Sequence, residues 1–144
     1  MIESIVSELV SRVNYLEGKT LRTIYFGGGT PSLLTAEELI LILDAVKKTF
    51  VLEKELEISL EANPDDITDE MLAIWTDNGI NRLSIGLQSF KSEDLEWMNR
   101  AHTVEDSLNC VQRAQNAGIN NLTVDLIYGL PNLIYYNLKC YIKY

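Results

Sequence analysis

Three consecutive glycines and a threonine, Gly27-Gly28-Gly29-Thr30, follow the apolar run Thr23-Ile24-Tyr25-Phe26, and an amphipathic stretch comes after them. Residues without Cβ let the backbone take positive φ and leave amide N–H groups uncovered, so a polar or charged ligand group can come within hydrogen-bond distance. The spacing is not G-x-G-x-x-G and no Gly-Lys-Ser/Thr follows, which supports neither a dinucleotide fold nor a P-loop. Glu61, Gln88 and Asp125 each stand at or near the end of a later apolar run. Two carboxylates can neutralise a cationic amine, and a carboxamide can donate to or accept from a hydroxyl or carboxylate. Arg100, in Arg100-Ala101-His102, is the nearest carboxylate partner. This is a set for binding rather than hydrolysis, because no Ser/His/Asp or Cys/His triad can be assembled around the single histidine.

Each of these residues also has a plainer reading. Glu61 and Gln88 could be solvated loop residues, Asp125 a helix cap and Arg100 a surface charge. His102 reads as an ordinary exposed loop residue.

The elements that must position the set follow from periodicity. Ile2, Ile5, Val6, Leu9, Val13 and Leu16 predict an amphipathic helix over 2–16 that Gly18 ends. Leu21 to Phe26 reads as a strand. Thr35 with Glu38 forms a capping box, and Leu39, Ile40, Leu43, Val46 and Phe50 give the helix behind it an apolar face. Leu56, Ile58 and Leu60 define a second strand, which Pro64 stops while pushing Asn63 toward an extended backbone. Thr68 caps the next helix and Gly79 ends it; Leu83 to Leu87 is a third strand. Ser92 is read as the cap of a short helix and Thr103 as the cap of a longer one running to about Asn116. Leu122 to Ile127 is the fourth strand. Asn78-Gly79-Ile80-Asn81-Arg82-Leu83 is echoed by Ala117-Gly118-Ile119-Asn120-Asn121-Leu122, each a helix stop followed by a strand start. Strands alternating with helices at a steady period indicate βαβ units and a parallel sheet of barrel type. A complete eight-unit barrel takes about 250 residues, so 144 residues hold a partial barrel of about four units. Parallel strands covered on both faces are apolar throughout, so polar residues at their carboxyl ends mark the mouth where ligands bind.

Composition bounds the rest. With 47% apolar and 23% charged residues the chain is ordinary globular material for one core. A net charge of −9 and 12 scattered basic residues argue against nucleic acid or an anionic membrane surface. The opening residues carry Glu3 and Glu8 and form no secretory signal, and no apolar run reaches the roughly 18 residues of a membrane span. The chain reads as soluble and cytoplasmic. Cys110 and Cys140 have no metal-site or disulfide spacing and read as small hydrophobes.

Five ordered motifs now carry a resemblance. FGGGTPSLL from Phe26 to Leu34, EANP from Glu61 to Pro64, LSIGLQSF from Leu83 to Phe90, Arg100-Ala101-His102, and DLIYGLP from Asp125 to Pro131 resemble the radical S-adenosylmethionine core of the HemW heme chaperones. These are relatives of oxygen-independent coproporphyrinogen III oxidase, and the EANP and QSF motifs are closer to the chaperone branch. The resemblance implies an α/β, TIM-like partial (β/α)6 barrel with S-adenosylmethionine in its mouth. Gly28, Gly29 and Thr30 would meet its methionine end, with Glu61, Gln88, Arg100 and Asp125 completing the pocket. It also implies a [4Fe-4S] cluster held by a C-x-x-x-C-x-x-C motif, and heme or porphyrin handling by the full protein. No cysteine precedes residue 27, so the cluster ligands of the family are absent from this chain, and Cys110 and Cys140 cannot replace a three-thiolate set. The alternatives to a HemW-like protein are an enzyme of the coproporphyrinogen oxidase branch and a cluster-free remnant without radical chemistry. Residues 1–132 are assigned to the core and 133–144 to an atypical tail.

Overall fold

In the computed structural model of the chain, residues 1–18 and 20–130 are described. Cys140 and the tail at 133–144 lie outside them. Strands β1 (Leu21–Phe26), β2 (Leu52–Ala62), β3 (Arg82–Gln88) and β4 (Asn121–Leu126) form one sheet in chain order, and each neighbouring pair is parallel. Helices α1 (Ile2–Ser11), α2 (Ala36–Thr49), α3 (Asp69–Asp77), α4 (Ser92–Trp97) and α5 (Val104–Asn116) lie between and before them. Sequential parallel neighbours joined through helices are the winding of a partial α/β barrel.

Local chemistry sets the boundaries. Thr35 and Glu38 form the capping box of α2, Thr103 and Asp106 that of α5, and the Thr68 hydroxyl accepts from the Met71 amide at 3.2 Å. Gly79 and Gly118 end α3 and α5 at φ +89° and +94°, which accounts for the repeated helix-stop motif.

Three boundaries differ from the sequence expectation. The first helix ends at Ser11, and Val13–Leu16 form a 3-10 turn with no buried residue, so the apolar spacing there continues without a core to pack on. Strand β2 begins at Leu52 because it is paired with Leu21 across a register shift. Ser92 is the first helical residue of α4 rather than its cap. Ser89 serves that end instead, accepting from the Lys91 amide at 3.2 Å and donating to Asp94 Oδ2 at 2.7 Å.

The larger correction concerns the sheet, which among the described residues is covered on one face rather than two. Along β3 burial alternates strictly: Leu83, Ile85 and Leu87 are buried, whereas Arg82, Ser84, Gly86 and Gln88 are only half-buried. The apolar face, with Ile58, Leu60, Leu83 and Ile85, packs in one core with Ile2, Leu39, Leu43, Leu72, Trp75, Cys110 and Ala114 from the helices. The opposite face is polar and cross-linked between strands. Arg82 donates to Glu57 Oε1 at 3.1 Å and to Thr123 Oγ1 at 3.0 Å, and Asn121 reaches Glu57 Oε2 at 3.3 Å. The Arg82 hydrogen bond comes first among the causes that hold the Glu57 carboxyl below its ordinary range.

This asymmetry predicts an asymmetric mutational response. Leu83→Ala, on the covered face, costs about 2 to 5 kcal/mol in urea denaturation, whereas Thr123→Val, on the open face of the adjoining strand, costs no more than about 1 kcal/mol.

Candidate functional site

The carboxyl ends of the four strands meet at a cleft of about 160 Å³ lined by Gly29, Thr30, Pro31, Glu61, Ala62, Asn63, Ser84, Gly86, Gln88, Arg100 and Asp125. All but one of the site residues read from the sequence line it. The exception, Gly28, joins through its amide, which donates to Glu61 Oε2 at 3.1 Å. The cleft is smaller than the roughly 300–1,000 Å³ of sites that engulf a drug-sized ligand.

The glycine turn is demanded by geometry. Gly28 and Gly29 take φ +79° and +62°, and the positions of their missing Cβ atoms are open space. Gly27 is required for a different reason: a Cβ there would stand 2.6 Å from Tyr25 Cε1 and 3.0 Å from Glu61 Oε1. The Tyr25 ring therefore lies across Gly27 and its hydroxyl donates to Glu61 Oε1 at 2.8 Å. Glu61 is thus a fixed carboxylate at the end of β2, bridging the strand and turn beside it, and not a solvated loop residue. Each of its oxygens keeps a lone pair for a ligand cation. The bond to Glu61, followed by desolvation, raises the Tyr25 phenol above its ordinary value.

Across the cleft, Arg100 Nη2 donates to Asn63 Oδ1 at 2.7 Å and to the Gly86 carbonyl at 3.5 Å, while its buried Nε has no partner among the described residues. Arg100 is therefore not a loose surface charge. A permanently charged guanidinium with an unused buried donor suits a carboxylate or another acceptor of a ligand. Asn63 is held in turn by donating to Asp66 Oδ2 at 3.3 Å, the same oxygen that Ser32 reaches at 2.6 Å. Its φ −87°, ψ 153° is the extended backbone that Pro64 imposes. Gly86 makes the convergence possible, since a Cβ there would lie 2.8 Å from Gln88 Nε2 and 3.6 Å from Arg100 Nη2. Gln88 adopts φ +65°, a left-handed backbone uncommon outside glycine. Asp125 stands on β4 and accepts from Ser84 Oγ at 3.4 Å, so it is not a helix cap.

Tyr25, Asn63, Ser84 and Gly86 are site residues that the sequence reading does not single out. Strict alternation along β3 marks Ser84 as part of the polar face, a glycine inside a strand marks Gly86, Asn63 is signalled only by its place before Pro64, and Tyr25 carries no such signal because β1 does not alternate. His102 is a correction of another kind. Read as exposed, it is 3% exposed, and its Nε2 contacts the Leu87 carbonyl at 3.0 Å. Cys110 is fully buried as expected, and burial pushes its thiol up to about 11. Among the described residues no group of three or more His, Cys, Asp or Glu could hold a metal ion, so they do not fit an iron-sulfur cluster.

A parallel α/β barrel segment with a polar cleft at the carboxyl ends of its strands is the class that fold and site define. The family model of the radical SAM superfamily matches residues 2–135, and the chain belongs to that superfamily. It is similar to the heme chaperone HemW of Lactococcus lactis, at 40% identity over 130 residues covering 90% of this chain and 34% of that protein. It is also similar to the oxygen-independent coproporphyrinogen-III oxidase-like protein HemZ of Bacillus subtilis, at 44% over 111 residues, 76% of this chain and 22% of that protein. Among solved structures, coproporphyrinogen III oxidase (HemN) from Escherichia coli, a radical SAM enzyme, superposes with a TM-score of 0.88 at 28% identity, covering 98% of this chain and 32% of that one. The chain spans about a third of the length of the HemW relatives it matches. No described helix is long and apolar enough to cross a membrane.

The Tyr25–Glu61 bond has a signed pH consequence. A phenol raised in the folded state contributes stability that is fully present below its unfolded value and lost as pH rises through the folded one. Glu61→Gln is expected to bring the Tyr25 midpoint back toward 10.0 in a carbon-13 NMR titration, and to flatten the loss of stability in that alkaline window.

Proposed function

We propose that the chain is the S-adenosylmethionine-binding part of a HemW-like radical SAM protein that handles heme or porphyrin in the cytoplasm. One observation carries the reading. The Glu61 carboxylate anchored on the Gly28 amide and the Arg100 guanidinium with a buried unused donor belong to one cleft, a pairing suited to the ammonium and carboxylate of an amino acid. Gly28, Gly29 and Thr30 would hold the methionine end beside Glu61, Arg100 would take the carboxylate, and Gln88 and Asp125 would bond the remaining hydroxyl and amine groups.

In this superfamily a [4Fe-4S] cluster supplies the electron that cleaves S-adenosylmethionine reductively. The described residues do not fit that cluster, and the role proposed for them ends at binding and orienting. The second reading, an enzyme of the coproporphyrinogen oxidase branch, is favoured by the similarity to HemZ and by the superposition on HemN. Decarboxylase activity of a full-length version separates it from the first, which requires heme binding instead.

Charged hydrogen bonds contribute roughly 1.5 to 3 kcal/mol each, and association costs of about 4 to 15 kcal/mol oppose them. The chain is therefore expected to bind S-adenosylmethionine with a Kd on the order of millimolar. NMR titration checks this, and Arg100→Ala should weaken binding by about tenfold or more, the equivalent of at least 1.4 kcal/mol. Wild-type shifts confined to residues away from the cleft would overturn the assignment.

A further inference from the structure

Between α4 and α5 the chain turns back toward the end of β3, and two consecutive carbonyls of β3 receive side chains from that turn. Arg100 Nη2 reaches the Gly86 carbonyl at 3.5 Å, and His102 Nε2 reaches the Leu87 carbonyl at 3.0 Å. A carbonyl oxygen can only accept, so Nε2 carries the proton of the second contact. His102 Nδ1 is buried without a hydrogen bond among the described residues and stands 4.0 Å from Asp65 Oδ1. Among the described residues the ring is therefore hydrogen-bonded through Nε2.

What the ring holds is an unusual piece of backbone. Register between β3 and β4 is interrupted between Ile85 and Gln88, and the residue after Leu87 is Gln88 at φ +65°. The Leu87 carbonyl also accepts from the Ser89 amide at 2.8 Å, and the Gln88 carbonyl accepts from the Ile127 amide at 2.9 Å. A left-handed non-glycine residue is retained only where its surroundings over-determine it. His102 brings a side-chain contact to that irregularity from outside the sheet, and it arrives on the segment that delivers Arg100.

We propose that His102 is a positioning residue of the ligand mouth. Its Nε2–H fixes the Leu87 carbonyl, and through it the left-handed Gln88, while seating Arg100 between Asn63 and Gly86. The inference rests on the assignment of Gln88 and Arg100 as S-adenosylmethionine contacts, but its structural half can be measured without a ligand.

The test compares His102→Gln, whose Nε2 can replace the donor, with His102→Phe, which keeps the bulk and removes it. In nitrogen-15 NMR of the free chain, the Phe variant is expected to shift the Gln88 side-chain amide and the Arg100 Nε–H, leaving Gly28 and Gly29 in place. The Gln variant should keep all of them. In titration with S-adenosylmethionine, the Phe variant should bind about tenfold more weakly and the Gln variant close to wild type. Unmoved Gln88 and Arg100 resonances in the Phe variant overturn the proposal, as do resonances displaced equally in both. If the Phe variant does not fold, the Gln variant decides: retained resonances support the donor role and displaced ones refute it. Failure of the wild-type chain to bind S-adenosylmethionine would count against the proposed function, and the ligand-free resonances would still decide the role of His102.

Discussion

The sheet buries one face, and the remaining design follows from that constraint. Helices lie on Ile58, Leu60, Leu83 and Ile85, and this removal of apolar side chains from water is the main stabilising contribution. The other face has no such cover among the described residues, and its polar groups meet each other. Glu57, Arg82, Asn121 and Thr123 connect three strands through side-chain hydrogen bonds. Arg82 and Glu57 keep about a third of their side-chain surface exposed, which screens the pair and keeps its contribution to stability small. Its role is to order the polar face more than to stabilise the fold.

The same face continues upward into the mouth. There the strands end, and polar groups are placed by backbone features: two left-handed glycines, a glycine at 86 that admits its neighbours, and a left-handed Gln88. Around them further side chains hold the polar groups of the cleft. Tyr25 fixes Glu61, Asp66 fixes Asn63, Asn63 fixes Arg100, and Ser84 meets Asp125. Polar groups held in this way are ordered before anything binds, which lowers the ordering cost of binding in general.

Much of this was legible before any coordinates. The strand from Leu21 to Phe26, the capping box at Thr35, the cap at Thr103, and the glycine stops at 79 and 118 depend on contacts within a few residues, and each is found where expected. Glu61, Gln88 and Asp125 were legible as candidates because polar side chains at strand ends need a reason, and Arg100 was legible as a carboxylate partner on the connection between two helices. Tyr25 was not, because its importance lies in a ring crossing Gly27 to reach a carboxylate on the next strand. His102 was misread, since a histidine in a short connection is usually solvated and nothing nearby in sequence reveals the carbonyl that buries it.

Sequence alone determined the order of elements, their parallel winding and the residues that reach the strand ends, because hydrophobic periodicity, caps and glycine punctuation act over one or two turns of chain. Only the tertiary structure decided that one sheet face stays polar, that Glu61 is already bonded to Tyr25 and Gly28, and that Arg100 keeps a buried donor unused. Those outcomes depend on which side chains meet across strands far apart in the chain, and on which hydrogen bonds remain unmade once every neighbour has been placed.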